Sequence, residues 1–259
     1  MKIAFVLACV AVLTVAGVCQ AGNLRKNFYR TSCPAAESIV KNITETRVAS
    51  NPNLPAKLLR MHFHDCFVRF NKSIWEVLTG RRDGNVSLAS EVLAHIPSPF
   101  LNFSSLVQSF KSKGLTVHDL VVLSGAHTIG VGHCNLFSNR LYNFSGKGDQ
   151  DPSLNSTYAA FLKTKCQSLS DRTTTVEMDP GSSQNFDASY FVILQQQKGL
   201  FQSDAALLTD KKSKKIVGEL LELTDFLKEF SQSMKRMGAI GVLTGNSGEI
   251  RKKCGVINS

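Results

Sequence analysis

The chain has 259 residues, 43% of them hydrophobic, which is enough to bury a large core in one or two lobes. Its formal charge is +10, yet the basic residues, such as Lys111, Lys113, Lys211, Lys212 and Lys252, are scattered. They show no aromatic interleaving and no nucleic-acid motif, which argues against a nucleic-acid reader and leaves a basic surface suited at most to weak adsorption on an acidic extracellular polymer.

Residues 1–18 carry one early lysine and then an apolar run broken only by Thr14 and Gly17, followed by the small residues of Cys19-Gln20-Ala21. This reads as a secretory signal, with the mature chain starting near Gly22. A membrane anchor competes poorly: the run is shorter than the ~20 apolar residues that a span needs and lacks a basic flank. No second run of that length follows, so a soluble secreted protein is expected. Candidate glycosylation sequons begin at Asn42, Asn71, Asn85, Asn102, Asn143 and Asn155. Removing the signal discards Cys9 and Cys19 and leaves Cys33, Cys66, Cys134, Cys166 and Cys254. An odd number in an oxidising compartment leaves at least one thiol without an intramolecular partner.

Within Leu58-Leu59-Arg60-Met61-His62-Phe63-His64-Asp65-Cys66-Phe67, the residues Arg60, Phe63 and His64 stand at i, i+3 and i+4. Those offsets share one helix face, placing a fixed cation and a titratable imidazole over a phenyl ring. Such a pair suits heterolysis of a small polar bond, with His64 carrying the proton and Arg60 stabilising the developing negative charge. A partly solvated helix face is the alternative. Farther on, Pro97-Ser98-Pro99-Phe100 breaks a helix, loop and helix pattern over residues 87–113.

Residues 115–119 open a helix for which Thr116 or Asp119 could serve as cap. Its apolar run ends in Ser124-Gly125-Ala126-His127-Thr128-Ile129-Gly130, where glycines allow something flat to approach closely. His127 is otherwise an ordinary core histidine. His62, His95, His118 and His133 receive no role. Between Asp179 and Asp187 two carboxylates are interspersed with hydroxyl and carbonyl oxygens, a set that suits calcium or simply a polar turn. Residues 220–237 form an amphipathic helix and 238–245 a loop.

Taken together, Arg60-x-x-Phe63-His64-Asp65-Cys66-Phe67 and Leu123-Ser124-Gly125-Ala126-His127-Thr128-Ile129-Gly130 resemble the secretory haem peroxidases of plants, from about Asn27 to the C-terminus. The resemblance implies a mainly α, two-lobed haem peroxidase fold with haem b between the lobes. Arg60, Phe63 and His64 would lie over the haem, and His127 would bind iron from below. Asp204 would accept the other ring proton of that histidine, making the imidazole more basic. Thr128, Asp179, Ser182 and Asp187 would form a proximal calcium site, with Asp65 and Val68 the remnant of a distal one, and Pro97 would lie at the mouth where aromatic donors dock. Cys134 and Cys166 are the one cysteine pair that the family pattern leaves complete.

The pattern is interrupted after Arg69. Phe70-Asn71-Lys72-Ser73-Ile74 leads directly into Trp75-Glu76-Val77-Leu78-Thr79-Gly80, which resembles a stretch normally found much later, so about sixty residues, several ordinary helices, are absent. The expected organisation is a signal over residues 1–21, a truncated distal lobe over 22–75 and a proximal lobe over 76–259. The expected function is a secreted monomer of the cell wall or apoplast that reduces hydrogen peroxide and oxidises small aromatic donors, slowed by the missing segment. The alternative is a mis-spliced product or an inactive glycoprotein that binds matrix polymers.

Overall fold

A computed structural model describes residues 24–62, 77–88, 90–91 and 95–258. It is mainly helical, as expected, with a single two-stranded sheet among the described residues. The described helices begin with α1 (Ala36–Ser50), α2 (Leu54–His62), α3 (Phe103–Lys111) and α4 (Val117–Ser124). α4 organises the rest. Both residues offered as its cap act together: the Thr116 hydroxyl accepts from the Asp119 backbone N–H, while the Asp119 carboxylate accepts from the Thr116 backbone N–H at 2.9 Å. This reciprocal arrangement satisfies two of the donors that a helix start leaves orphaned.

From Asp119 to Leu123 every residue of α4 is buried, so the helix is walled on all sides. It tightens into a 3-10 turn at Gly125–Thr128 that carries His127. Glycine is needed at the start of that turn, because a Cβ at Gly125 would stand 2.5 Å from the Phe226 ring and 2.9 Å from Phe191. The space next to Gly125 is therefore filled by the protein's own aromatic rings and not left for a flat ligand.

After the turn come β1 (Val131–His133), α5 (Asn139–Tyr142), α6 (Ser156–Lys165) and β2 (Thr175–Glu177), with β1 and β2 antiparallel and Gly132 opposite Val176. These elements enclose a second core of Phe137, Leu141, Leu154, Tyr158, Leu162, Leu200 and Phe201 around the Cys134–Cys166 disulfide. The pairing that the resemblance implied is thus present. Cys33 and Cys254 are free and exposed, and Cys66 lies outside the described residues.

The last helices are α7 (Ser189–Gln195), α8 (Gln202–Ala206), α9 (Lys211–Glu219) and α10 (Leu223–Met237). The single helix expected over 220–237 starts three residues later. Leu220 is buried at the end of α9, and Glu222 is extended, so the apolar side chain docks at a corner and not within one continuous helix. α10 buries Phe226, Phe230 and Met234, one stripe at i, i+4 and i+8, against the core that α4 centres. Arg236 then reaches the buried Asp119 at 2.6 Å. Residues 238–245 form the expected loop.

The N-terminal part is thinner. α1 buries only Val48, and its Ile39, Val40 and Ile43 are each more than half exposed. Arg25 and Thr79 pair through reciprocal backbone bonds of 3.1 Å, and Asp83 pairs with Glu249, so the chain after residue 77 joins the N-terminal segment to the C-terminus.

Candidate active site

The site grows from the 3-10 turn after α4. His127 is partly exposed, its side chain at 31%, and its Nδ1 lies 2.8 Å from Asp204 Oδ1. A carboxylate can only accept, so Nδ1 carries the proton and donates it, which fixes the tautomer and leaves the Nε2 lone pair for another partner. The described residues give Nε2 no hydrogen bond. The rings of Phe201 and Tyr190 meet the imidazole edge-on, at 5.4 and 5.9 Å between centroids, and hold its orientation.

Asp204 sits in the first turn of α8, almost completely buried. Its Oδ2 accepts the Phe201 backbone N–H at 2.8 Å, and its Oδ1 accepts the Tyr190 hydroxyl at 2.9 Å as well as the His127 proton. Burial alone would raise its carboxyl pKa, but the attraction that a protonated His127 would add and the hydrogen bonds from His127, the Phe201 N–H and Tyr190 outweigh burial and hold it below the ordinary carboxylate value. It is therefore an ionised acceptor directed at the imidazole.

Arg140 on α5 sets the position of that carboxylate. It is 1% exposed, and its Nη1 donates to three successive carbonyls, Gly199 at 2.6 Å, Leu200 at 2.8 Å and Phe201 at 3.1 Å. Its Nε donates to the equally buried Asp151 at 2.7 Å. The three carbonyls are the approach to α8, so the guanidinium fixes the segment that delivers Asp204. Neither Arg140 nor Tyr190 stood out in the sequence. Each partner lies 11 or more positions away, beyond the reach of any helical or strand periodicity.

Beside His127, Thr128 is fully buried and donates to Asp179 Oδ2 at 3.0 Å and to Asp187 Oδ1 at 3.2 Å. Ser182 donates to Asp187 Oδ2 at 2.6 Å, and the Ser189 hydroxyl bonds both carboxylates. All four residues expected to hold calcium are thus brought together, with Ser189 added to them. Burial and the Asp187 charge push the Asp179 carboxyl above its ordinary value, even though the Ser189 and Thr128 hydrogen bonds oppose them. Its Oδ1 is buried without a hydrogen-bond partner among the described residues. An orphaned carboxylate oxygen among hydroxyls is what a hard cation with oxygen ligands would satisfy. No group of three or more His, Cys, Asp and Glu suited to a metal occurs among the described residues, so the set has two carboxylates and otherwise neutral oxygens.

The other side of the site is sparser. Arg60 is exposed on α2, and Leu59 beside it is buried in the α4 core. Ala56, four residues before Arg60 and on the same face, approaches the turn: a Cβ at Gly130 would stand 3.0 Å from the Ala56 methyl. Gly130 has φ +101°, a left-handed conformation that a side chain would strain, so glycine is required there on both counts. Phe63, His64, Asp65 and Val68 lie outside the described residues. Pro97 is half-buried in its loop, and the loop's Pro99 carbonyl accepts from the Ser203 N–H at 2.9 Å, which anchors it next to Asp204. His118, in the first turn of α4, faces Glu229 at 3.8 Å, both partly exposed.

The donor set fits haem. A neutral imidazole has one nitrogen held by a buried carboxylate and the other free for iron, the arrangement that orients a metal-bound histidine and raises its basicity. Comparison with known proteins agrees. A family model described as peroxidase matches residues 69–222, more than half of the chain. Peroxidase 3 of Arabidopsis thaliana is 42% identical over 301 residues, covering 91% of this chain and 92% of the relative. Peroxidase 56 of the same plant is 43% identical, covering 91% of each. Peroxidase 39 is 40% identical, covering 98% and 99%. Sequence motifs, helical architecture and this similarity converge, and the chain belongs to the peroxidase family, haem-dependent oxidoreductases that act on hydrogen peroxide.

Proposed function

We propose that this chain is a secreted peroxidase in which His127 holds the haem iron, Asp204 keeps that histidine basic, and Arg60, Phe63 and His64 face peroxide on the opposite side. The observation that carries the reading is the His127–Asp204 pair, with Nδ1 engaged at 2.8 Å and Nε2 left available. Haem, when bound, supplies the redox couple that can give peroxide two electrons and recover them singly from aromatic donors. The protein's own part is proton and charge management. His64 removes the proton from one peroxide oxygen and returns it to the other, which leaves as water, while the Arg60 guanidinium stabilises the negative charge that develops between. The Pro97 loop, whose Pro99 carbonyl accepts from the Ser203 N–H at the start of α8, receives the aromatic donor in this reading.

Thr128, Asp179, Ser182 and Asp187 hold calcium in this reading, and because Thr128 follows His127 directly, the ion also fixes the iron ligand. Asp65 and Val68 are the remnant of a second calcium site. The lobes divide near residue 75, and the protein acts outside the cell as a monomer, its basic surface adsorbing weakly to acidic wall polymers.

We also propose that activity is reduced by an internal gap after Arg69. The alignment with Peroxidase 1 of Arabidopsis thaliana runs over 326 residues while this chain has 259, so at least 67 aligned positions lack a residue of this chain. Exposed free thiols at Cys33 and Cys254 agree with lost partners. Catalytic groups must be held within about 0.5 Å by their surroundings, and a shortened lobe offers fewer neighbours to do so. The test has two arms. Haem-loaded protein should show a Soret band that His127→Ala abolishes. Stopped-flow mixing with peroxide should give a slower spectral change than an intact relative under the same conditions. A normal Soret band in His127→Ala would overturn the ligand assignment, and an equal rate would overturn the impairment.

A further inference from the structure

Asp204 Oδ1 accepts two hydrogen bonds at once, from His127 Nδ1 at 2.8 Å and from the Tyr190 hydroxyl at 2.9 Å. Tyr190 comes from a different element, α7, and is 1% exposed. A carboxylate can only accept, so the Tyr190 hydroxyl is the donor in this pair. A carboxylate oxygen has limited negative charge to share. Each donor that it accepts makes it a weaker acceptor for the next, so the tyrosine competes with the imidazole for the same lone-pair density.

We infer that Tyr190 is a positioning residue that limits how strongly Asp204 draws the His127 proton, and so sets the electron donation of His127 to the metal it holds. The inference rests on the reading of His127 as iron ligand. Its direction follows from charge alone. Without the Tyr190 donor, Oδ1 becomes the stronger acceptor, the His127 imidazole gains imidazolate character, and ferric iron is stabilised over ferrous. A stronger donor at the same place does the reverse. Tyr190 thus opposes Asp204: one residue makes the histidine basic, and the other limits the effect.

The experiment uses the full, haem-loaded protein and reads the ferric/ferrous reduction potential together with the ferrous iron–imidazole stretch by resonance Raman. Tyr190→Phe keeps the ring and deletes the hydroxyl. The expected result is a potential shifted to more negative values and a stretch shifted to higher frequency. Replacement of Tyr190 by 3-fluorotyrosine, a more acidic donor of nearly the same shape, should shift both the opposite way, a sign reversal that disturbed packing does not produce. Tyr142→Phe removes a hydroxyl that donates to the Cys166 carbonyl at 2.8 Å, away from the histidine, and should leave both readings unmoved. Shifts of the same sign in both Tyr190 variants, or none in either, would overturn the inference while the ligand assignment stands. Absence of an iron–imidazole band from the unaltered protein, or its persistence in His127→Gly, would overturn the ligand assignment and the inference with it.

Discussion

Replacing Arg140 with methionine should destabilise the protein more than any surface substitution, and the structure sets the scale. The guanidinium is 1% exposed and is the only charge within reach of the equally buried Asp151 among the described residues. Its removal leaves a buried carboxylate without its cation, a change that costs about 3–5 kcal/mol. Asp151 keeps two donors from Ser153, at 2.8 and 2.7 Å, which places the cost in the lower part of that range. The carbonyls of Gly199, Leu200 and Phe201 lose their shared donor, and an unsatisfied buried acceptor adds about 1–3 kcal/mol. A total near 5 kcal/mol is a large part of the ~5–15 kcal/mol that holds a domain folded.

Because those carbonyls lead into α8, the loss also loosens the Asp204 carboxylate, and haem should leave faster. Equilibrium urea unfolding measures the first effect and haem transfer to an acceptor protein the second. Arg140→Lys should fall between, since one ammonium cannot span both the carboxylate and the carbonyls. Arg140→Met with Asp151→Leu should recover much of the loss, because no charge is then stranded. A single-mutant cost below about 1 kcal/mol, or a double mutant no better than the single, would refute the view of Arg140 as the fixed point of the α8 approach.

Three further outcomes are expected. Cys134→Ser with Cys166→Ser opens a link across a sequence separation of 32, which the chain-entropy model values at about 4 kcal/mol; thermal unfolding of the two forms should differ accordingly, and equal midpoints would count against the bridge. Calcium added to chelator-treated protein should raise its urea midpoint, through a gain of about 2.7 kcal/mol in unfolding free energy at a hundredfold excess over the dissociation constant, and Asp179→Asn should remove the gain; no response in the unaltered protein would refute the site. Asp119 titrates below its ordinary value, because although burial raises it, hydrogen bonds from Thr116, Arg236 and Ser233 prevail. A depressed carboxyl contributes stability that is present above the unfolded pKa of about 3.9 and is lost as pH falls through the lower folded value. Urea stability below pH 4 should therefore fall less steeply in Asp119→Asn than in the unaltered protein, and parallel acid limbs would contradict this.

Local patterns carried much of the fold into the sequence. The helix around residues 117–124, its Thr116 and Asp119 cap, the loop at 238–245 and the oxygen-rich run between Asp179 and Asp187 are all set by neighbours within a few positions, which is the range that periodicity and capping rules report. The corner at Leu220 was missed because an apolar residue fits the helical stripe equally well whether the chain continues or turns. His127 and Asp204 were legible only through resemblance, since 77 positions separate them and nothing near Asp204 marks it as more than a surface carboxylate. Arg140 was hidden for a related reason: a buried arginine depends on partners that tertiary packing alone supplies. The glycines near His127 were legible as close approaches, but not what approaches them, and at Gly125 it is Phe226 and Phe191.

Among the described residues the two sides of the site are supported very unequally, and this bears on the proposed activity. His127 is held by Asp204, by the rings of Phe201 and Tyr190, and through Thr128 by Asp179 and Asp187. Asp204 is held in turn by Arg140 through the carbonyls that precede α8. Each of these supports lies between residues 127 and 204, within the stretch that the Cys134–Cys166 bridge and its surrounding core stabilise. Arg60, by contrast, projects from the nine-residue α2, which enters the α4 core through Leu59 and meets the turn through Ala56, while α1 before it leaves Ile39, Val40 and Ile43 largely in solvent. If His127 holds the cofactor and Arg60 meets peroxide, as proposed above, the two tasks depend on different parts of the chain. On the proposed reading, binding through His127 draws on this network, whereas the rate of peroxide cleavage draws on a side of the site with fewer supports among the described residues, so the first property can survive where the second is weak.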